Sequence, residues 1–554
     1  MAAKQTPVEA HDALDNLVNQ FSDPMSFFRE LIQNALDAGS PEIDISFEYR
    51  AGEGTQDGIM IVHVDDFGEG MDREIIDTRL TRLFSSSKDG DLTKIGRFGI
   101  GFVSVFAIQP DAVCLDTSRG GENWRVLFQR DRSFVRIQRD EPTDGTDIQI
   151  IKTMSADGYA EFVRRATEVV TYWCKHAKAE IRVDDEPINL PFDLECPVKV
   201  QSSADGTDVV VGFPADAQPF FGFYNKGLTL HEGREDLLGG LAFKISSRYL
   251  EHTLTRDNVL RDDNFHKAME IARELAEGPL IRQLFDQLAE AVADGRPGRG
   301  RGVNFLYDTA AHVIASGRVR TRDLDDRVLW RTVSGREATV GAIRKRFRKG
   351  RLWIDTKMSP LIAALEEDDH VVLHGVPDTP AHNALVTLLG EAPPAANQAF
   401  CKPVLPRSED EVSTWAPLRR SLSRLFEAYG AKLSDVAVAH FAYPGSSIYK
   451  QVAITQREPG ELTNREDAKA LGASLFSRRR VLVVNADHAT VQRLIAVAGS
   501  EPELASYTLA KLFFLRGELS TGLDSELLGH ALGQRRLRCA GKRRTGGDTD
   551  RREG

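Results

Sequence analysis

Three glycines stand close together in the stretch LTKIGRFGIGFVSVF, at Gly96, Gly99 and Gly101. Glycine costs backbone entropy and packs no side chain, so a group of glycines among apolar residues needs a physical reason. One reason is an ordinary turn. The other is a ligand that approaches the backbone closely, and phosphate is the usual one, because glycine loops that lead into a helix present bare N–H groups. The pattern alone leaves both explanations open.

Length and composition limit the classes of protein to consider. The 554 residues are too many for one ordinary core and predict roughly three or four domains. A hydrophobic content of 41% and a charged content of 28% are typical of a globular protein. The net charge of −11 argues against general nucleic-acid binding, which needs a basic face, although it allows a local basic patch.

Cysteine usage and hydropathy indicate the compartment. Five cysteines lie scattered without CxxC spacing, which is typical of reduced thiols and not of a disulfide framework or a zinc site. The first residues, MAAKQTPVEAHDALDN, lack the apolar core of a signal peptide. The sequence contains no run of about eighteen apolar residues, which is the length that would predict a membrane span. We therefore expect a cytoplasmic protein with no membrane partner.

Helix and strand patterns alternate over residues 10–190. Helices are predicted for DALDNLVNQFS, PMSFFRELIQNALDAG and AEFVRRATEVVTYWCKHA, with Gly39 ending the second. Strands are predicted for EIDISFEYR, IMIVHVDD and DGTDIQIIKT. This order predicts α/β structure, or α+β structure with helices over one face of a sheet.

Further units follow. Residues 195–390 begin with strand patterns in DVVVGFP and FGFYNKGLTLHEG, followed by one long amphipathic helix over NFHKAMEIARELAEGPLIRQLFDQLAEAVADG. The segment Asp294–Gly302 is predicted to be a linker or exposed loop. Residues 400–532 predict a last α/β unit. Residues 533–554 are basic, polar and glycine-rich, which predicts a disordered tail.

Three other stretches carry polar groups at informative positions. In FFRELIQNALDAG, Glu30, Asn34 and Asp37 lie at i, i+4 and i+7 and share one helix face, which is also what an ordinary solvent-facing stripe would show. In VDDFGEGM, an apolar strand ends in Asp66 and two glycines, which a capped turn would also produce. In DGTDIQI, Thr146 begins a strand after a turn.

Together and in this order, these four stretches resemble the nucleotide-binding motifs of the GHKL ATPase superfamily, which includes gyrase, heat-shock chaperones, histidine kinases and mismatch-repair ATPases. FFRELIQNALDA and GRFGIGFVSVF are most similar to the 90-kDa heat-shock chaperone branch. The resemblance is strong over residues 20–150 and looser through RYLEHTLTRDNV, which resembles the chaperone middle domain. It implies a Bergerat ATP-binding sandwich and a chaperone-like middle domain. The further α/β region after them is predicted from the sequence pattern alone.

The resemblance implies ATP and Mg²⁺ as cofactors. Asn34 matches the magnesium ligand, and Glu30 matches the general base that polarises the attacking water. Asp66 matches the acid that reads the adenine amine, and Thr146 matches a residue of the same water network. The other ATP-binding positions that it implies are Asp37, Gly68, Gly70, Met71, Gly96, Gly99, Gly101 and Phe102.

A lid is expected over the phosphates. FSSSKDGDLTKI contains several small polar residues and a glycine, which suit movement. Lys88 is expected to contact phosphate, and Lys94 is a second candidate, although both also fit a solvated loop. In this interpretation the three glycines wrap the phosphates with backbone N–H groups.

An arginine from the middle domain is expected to complete the catalytic site. By resemblance, Arg256 best matches the arginine that reaches the γ-phosphate, with Arg248 and Arg261 as alternatives. Arg256 also fits an ordinary surface position near a helix start. The basic stretch Arg344–Arg351 favours a solvated turn or an acidic partner over nucleic acid. His488 and Asp487 are interpreted as helix-capping residues.

The predicted function is an ATP-binding and ATP-hydrolysing chaperone-like cycle with client or partner proteins, and a homodimer is compatible with it. One alternative is a nucleotide-gated clamp in nucleic-acid or defence processes; another is an ATP-binding scaffold without turnover, against which Glu30 argues. A histidine kinase is disfavoured, because His11 is the sole histidine before the first motif. The α/β pattern after residue 400 departs from the helical dimerisation domain of the chaperones and argues against constitutive dimerisation.

Overall fold

The computed structural model describes residues 23–52, 57–81, 100–253, 258–295, 301–431, 433–441, 446, 448–464, 480–515 and 519–545. The chain divides into two compact units, Met1–Leu284 and Phe285–Gly554. The breaks predicted near residues 190 and 390 fall inside these units, whereas the predicted linker lies close to the division between them. In the part of the chain that the structure describes, none of the helices combines the length and the apolar character of a membrane span.

An eight-stranded mixed sheet dominates the first unit, in the order β5-β4-β3-β6-β2-β1-β7-β8. All its pairings are antiparallel except that of β1 with β7. The strands are β1 (Glu42–Arg50), β2 (Asp57–Asp66), β3 (Ala112–Arg119), β4 (Glu122–Gln129), β5 (Phe134–Gln138), β6 (Thr146–Ser155), β7 (Glu180–Val183) and β8 (Glu186–Pro187).

Helices cover one face of this sheet, which is the second of the two arrangements that the order of elements allowed. They are α1 (Phe27–Asp37) after a 3-10 turn (Pro24–Ser26), α2 (Arg73–Ile75) continued by a π turn (Ile76–Leu80), α3 (Ile100–Val103) continued by a 3-10 turn (Ser104–Ile108), and α4 (Ala156–Cys174). Helix α1 presents Phe28, Leu31, Ile32 and Ala35 to the core, at the spacing of one helix face. Alternate residues of the strands, such as Ile43 and Ile45, fill the other side of that core.

A five-stranded sheet follows in the same unit, in the order β12-β11-β13-β10-β9. Its strands are β9 (Val198–Ala204), β10 (Thr207–Phe213), β11 (Phe220–Asn225), β12 (Leu228–Gly233) and β13 (Ala242–Ser247). The single long helix predicted after it is wrong: the structure has two helices, α5 (Asp263–Glu277) and α6 (Pro279–Ala293). Pro279 has no backbone N–H and starts the second helix after Gly278.

The second unit contains short sheets and several helices. Its strands are β14 (Val328–Arg331), β15 (Glu337–Thr339), β16 (Leu352–Asp355), β17 (Val371–His374), β18 (Phe400–Cys401), β19 (Pro403–Val404), β20 (Leu433–Phe441), β21 (Ala453–Gln456), β22 (Thr463–Asn464) and β23 (Arg480–Asn485). Its helices are α7 (Arg301–Ala315), a 3-10 turn (Thr321–Leu324), α8 (Val340–Arg348), α9 (Pro360–Glu367), α10 (Pro380–Leu389), α11 (Ala396–Ala399), α12 (Glu409–Ala428), α13 (Ala489–Ala498), α14 (Pro502–Phe514) and α15 (Thr521–Thr545). The largest sheet has the order β19-β20-β23-β21.

The prediction of a disordered tail from residue 533 is wrong for its first part, because α15 continues to Thr545. Ion pairs explain the difference. Arg535 pairs with Glu501 at 2.9 Å, and Arg538 pairs with the buried Glu503 at 2.8 Å. A count of basic residues does not reveal such partners. All five cysteines are free thiols, as expected.

Candidate functional site

A cavity of about 920 Å³ lies in the first unit, bounded by α1, by the ends of β2, β3 and β6, and by parts of the five-stranded sheet. Its volume is in the usual range for small-molecule sites. The structure brings most of the predicted site residues to its wall. They are Glu30, Asn34, Asp37, Asp66, Gly70, Met71, Gly101, Phe102 and Thr146.

Helix α1 supplies one wall with a graded polar face. Glu30 is buried, whereas Asn34 and Asp37, one and two turns later, are exposed at the cavity. A Cβ on Gly101, in α3, would lie 2.7 Å from Oε2 of Glu30, so the glycine leaves room for that carboxylate. The stripe of Glu30, Asn34 and Asp37 is therefore not an ordinary solvent-facing surface.

The turn after β2 is tied to the end of α1. The N–H of Glu69 donates to the carbonyl of Ala38 at 3.0 Å, and the N–H of Phe67 donates to Oγ of Ser40 at 2.8 Å. Within the turn, Oδ1 of Asp66 accepts the N–H of Gly68 at 2.9 Å. These bonds fix the carboxylate of Asp66 relative to the helix. Gly68 itself supports Asp66 and is not part of the cavity wall.

Two glycines with positive φ let three backbone segments meet at the cavity floor. Gly70 has φ +63°, and a Cβ there would lie 2.2 Å from the carbonyl oxygen of Ser118. Gly145 has φ +75°, and a Cβ there would lie 2.0 Å from the carbonyl oxygen of Asp66. Side chains at either position would force these segments apart.

Thr117 holds this floor together, and the sequence analysis missed it. Its buried Oγ1 accepts the N–H of Met71 at 2.9 Å and lies 3.1 Å from both the carbonyl oxygen of Gly145 and Oγ1 of Thr146. The available signal was a threonine at a core-facing position of β3, two residues after the buried Leu115.

The surroundings of Asp66 change its acidity. Burial raises the pKa of Asp66 to about 6, against the opposing effect of the Gly68 N–H, which stabilises the carboxylate. The side chain is therefore ionised at neutral pH and protonated below about pH 6. An ionised Asp66 presents only hydrogen-bond acceptors to the cavity.

The five-stranded sheet supplies a second wall that the sequence analysis largely missed. Lys226 lies in the β11–β12 hairpin, where φ values of +49° at Lys226 and +86° at Gly227 make the tight turn that short hairpins favour. Nζ of Lys226 lies 2.8 Å from Oδ1 of Asp37, so the hairpin contacts the end of α1. The missing signal is long-range: 189 residues separate the two partners.

Arginines line the cavity at several points. Arg248 lines the cavity and is one of the two alternative candidates for the catalytic arginine. Its guanidinium lies over the ring of Tyr249 and donates a hydrogen bond to the Tyr249 hydroxyl at 2.7 Å. Arg29 also lines it, stacked on Trp173 at 4.5 Å, and burial lowers the pKa of Arg29 to about 10. Arg79 and Arg119 lie at the same cavity.

Four predicted site residues lie outside the described residues: Lys88, Gly96, Gly99 and Arg256. Their assignments stay predictions, as does that of Lys94. Arg261 is described and lies near the ring of Phe265 at 5.9 Å. It is not among the residues of the cavity wall.

The remaining candidates belong to the second unit. In the basic stretch, Arg344 pairs with Asp325 at 2.7 Å and Arg346 pairs with Asp369, so acidic groups of the chain itself neutralise part of it. His488 caps α13 by accepting the N–H of Thr490 at 3.2 Å, which confirms its interpretation as a capping residue.

The donor set decides whether a magnesium ion fits. Within the described parts of the chain, no group of three His, Cys, Asp or Glu side chains forms a protein-only metal site. Mg²⁺ in nucleotide sites takes few protein ligands and keeps waters and phosphate oxygens. An exposed amide oxygen of Asn34 beside the cavity suits that kind of coordination.

Comparison with known proteins identifies the region that holds this site. Residues 25–157 match the family model for the histidine kinase-, DNA gyrase B-, and HSP90-like ATPase. Chaperone protein HtpG of Nitrobacter hamburgensis is 27% identical over 214 residues, which cover 31% of this chain and 32% of the relative. DNA mismatch repair protein MutL of Pseudomonas aeruginosa is 29% identical over 133 residues, covering 23% and 20%.

A second HtpG, from Anaplasma phagocytophilum, is 29% identical over 171 residues, covering 26% of each chain. The matched stretches therefore span between a fifth and a third of these relatives. The predicted resemblance to the GHKL superfamily and its HtpG branch is confirmed.

The floor of the cavity can be tested with two alanine substitutions at left-handed glycines. Gly120→Ala, at φ +61° with nothing within 4 Å of a new Cβ, should cost on the order of 1–2 kcal/mol of backbone strain. Gly145→Ala should cost clearly more, because its Cβ would also collide with the carbonyl of Asp66. Denaturant unfolding of the full chain measures both. Equal losses of stability would show that the close approach at Gly145 is not needed.

Proposed function

Because residues 25–157 match the family model for the histidine kinase-, DNA gyrase B-, and HSP90-like ATPase, we propose that the chain binds ATP in this cavity and hydrolyses it to ADP and phosphate with Mg²⁺. The observation that carries the proposal is the convergence on one cavity of Glu30, Asn34, Asp66 and Thr146, which come from three separate stretches of sequence. Each of the four supplies a group that one part of ATP requires.

Adenine is recognised at the floor. The carboxylate of Asp66 accepts a hydrogen bond from the exocyclic amine, and Thr146 holds a water molecule beside it. Gly70 lets the base lie close to the backbone. Guanine presents a carbonyl oxygen where adenine presents the amine, so it would place an acceptor against the Asp66 carboxylate. The site therefore selects ATP over GTP.

The phosphates extend along α1. Asn34 would hold the magnesium ion through its amide oxygen; when bound, the ion neutralises charge on the phosphates and orients them. Glu30, one turn earlier, takes a proton from the attacking water as general base. Its burial beside Gly101 keeps the carboxylate away from bulk solvent. Asp37 at the end of the helix lies on the phosphate side or in its water network.

An arginine from the second wall completes the charge stabilisation. Arg248 lines the cavity, and we assign it this role in preference to Arg256, the first candidate from the sequence, which lies outside the described residues. To reach a γ-phosphate, its guanidinium would leave the ring of Tyr249. Guanidinium groups stabilise the charge that develops during phosphoryl transfer.

ATP binding would drive a chaperone-like cycle with client or partner proteins. Contact of Lys226 with Asp37 links the nucleotide site to the five-stranded sheet, so occupancy can change the position of that sheet. The HtpG relatives favour this interpretation. A cytoplasmic location and a homodimer stay predictions.

The MutL relative favours a second candidate, a nucleotide-gated clamp on nucleic acid. The net charge of −11 argues against it. A DNA-binding titration with and without ATP at several salt concentrations separates the two functions. ATP-dependent binding that weakens steeply with salt would favour the clamp.

Asp66→Asn should sharply weaken ADP binding while the fold is kept, because the amide places a donor where the adenine amine needs an acceptor. The wild-type chain should lose affinity below about pH 6, by up to about tenfold per pH unit, as Asp66 becomes protonated. The variant should lack this dependence. Calorimetry of both proteins from pH 5 to pH 8 measures it.

Protonation of ADP itself affects both proteins equally, so the ratio of their affinities isolates Asp66. Parallel pH profiles, or unchanged affinity in a folded variant, would contradict the role of Asp66 in reading adenine.

Glu30→Gln should still bind ATP but lose hydrolysis, since a general base contributes on the order of 10²–10⁴-fold to rate and little to ground-state affinity. Steady-state phosphate release and ATP titration of the full chain measure the two effects separately. In the same assay, Arg248→Ala should lower turnover with little change in affinity, by on the order of 10³-fold if the arginine acts as in other phosphoryl-transfer enzymes.

Arg261→Ala is the matched control for Arg248→Ala, since it removes an arginine that does not line the cavity, and its turnover should stay at the wild-type level. Turnover of Glu30→Gln within a few-fold of wild type would rule out Glu30 as the base. A wild-type chain that binds ATP without any turnover would favour the scaffold.

A further inference from the structure

Four aspartates form a continuous row across the open face of the eight-stranded sheet. In the strand register, Asp44 of β1 lies opposite Asp65 of β2, Asp65 lies opposite Asp147 of β6, and Asp147 lies opposite Asp116 of β3. Directly opposed residues have Cβ atoms about 4.5–5.5 Å apart. The row therefore places four carboxylates side by side on adjacent strands.

Arginines neutralise both ends of the row. Arg182 lies opposite Asp44 in the register, and a guanidinium nitrogen of Arg182 lies 3.7 Å from Oδ1 of Asp44. At the other end, Asp116 is buried and accepts two hydrogen bonds from Arg125 at 2.6 Å and an ion pair from Arg139 at 2.8 Å. Arg125 is also the residue opposite Asp116 in the register.

The middle of the row lacks such neutralisation. Within the described residues, neither Asp65 nor Asp147 forms an ion pair, whereas both end residues do. Like charges directly opposite each other destabilise a sheet. A proton held between two such carboxylates removes the repulsion and adds a hydrogen bond.

Acidities follow this geometry. The pKa of Asp65 is raised to about 7, chiefly by burial and, to a smaller extent, by the nearby carboxylates of Asp147, Asp44 and Asp66. Burial and then Asp116 raise the pKa of Asp147, while Arg139 and His63 oppose the increase and Asp144 adds to it. In the neighbouring row, His63 lies opposite Gln149 and 3.8 Å from Glu48.

We propose that this row of aspartates makes the sheet responsive to protons: near neutral pH the central pair, Asp65 and Asp147, holds a shared proton, and its loss weakens the pairing of β2 with β6. The folded chain binds this proton more tightly than the unfolded chain. Its contribution to stability is therefore complete at low pH and is lost as the pH rises through about 7.

The next register pair connects the row to the cavity. Asp66 lies opposite Thr146. Asp66 directly follows Asp65, and Thr146 directly precedes Asp147, so the side chains of Asp66 and Thr146 lie on the other face of the sheet. Loosened pairing would therefore disturb the proposed adenine site, and this second step rests on the proposed function. Affinity for adenine nucleotides should fall in alkaline solution by this route.

Amide hydrogen exchange of the full chain without nucleotide tests the row itself. After correction for the intrinsic effect of pH, peptides from Asp57–Asp66 and Thr146–Ser155 should open about tenfold more at pH 8 than at pH 6 in the wild type. Asp65→Asn, whose amide can donate to Asp147, should be protected equally at both pH values.

Asp116→Asn is the matched contrast, because it removes a carboxylate of the same row that Arg125 and Arg139 already neutralise. Asp116→Asn should exchange faster than the wild type at both pH values. At pH 8 this is the opposite of the change expected for Asp65→Asn, which should exchange more slowly than the wild type. Exchange in Asp65→Asn that equals or exceeds that of the wild type at pH 8 would overturn the proposal.

ADP titration at pH 8 tests the connection to the cavity. Asp65→Asn should bind ADP several-fold more tightly than the wild type. Equal affinities together with the expected exchange difference would overturn the connection but support the row. Absence of ADP binding by either protein at any pH would count against the proposed function. The exchange result would still show whether the pairing of β2 with β6 responds to protons.

Discussion

The ten-residue pairing of β2 with β6 is the contact on which the rest of the first unit depends. It runs without a break from Asp57 opposite Ser155 to Asp66 opposite Thr146. Because successive residues of a strand point to opposite faces, the last two register pairs carry different chemistry. Asp66 and Thr146 face the cavity, whereas Asp65 and Asp147 face the open side. One pairing therefore positions the groups that we propose bind adenine and also brings two carboxylates together.

Close approach of backbone segments at the end of this pairing gives the cavity its floor. Gly70 and Gly145 allow the approach, and the hydroxyl of Thr117 bonds the segments together. The hairpin that carries Lys226 then contacts α1 from the five-stranded sheet. The cavity is thus built by two sheets, which gives the proposed ATP cycle a direct mechanical connection to the rest of the first unit.

Local patterns in the sequence predicted the parts of this arrangement that depend on neighbours along the chain. The spacing of Glu30, Asn34 and Asp37 placed them on one helix face, and the acid and glycines after an apolar strand marked the turn at Asp66. Contacts between distant segments were not predictable in this way. Thr117, the Lys226–Asp37 pair and the register of the aspartates all depend on which strands become neighbours.

The errors have two different origins. Basic, glycine-rich composition predicted a disordered tail, but Glu501 and Glu503 of another segment stabilise the helix there. A continuous amphipathic pattern predicted one helix where Gly278 and Pro279 divide it into two. Contacts with another segment outweighed the average composition in the first case, and a local Gly-Pro pair outweighed the continuous pattern in the second.

The central claim is that the cavity under α1 binds an adenine nucleotide through Asp66. The most direct measurement is calorimetric titration of the full chain with ATP and with GTP, in Mg²⁺ at pH 7.5. The account predicts saturable binding of ATP at one site and GTP binding that is at least tenfold weaker. Equal affinity for the two nucleotides, or no binding of ATP, would contradict it.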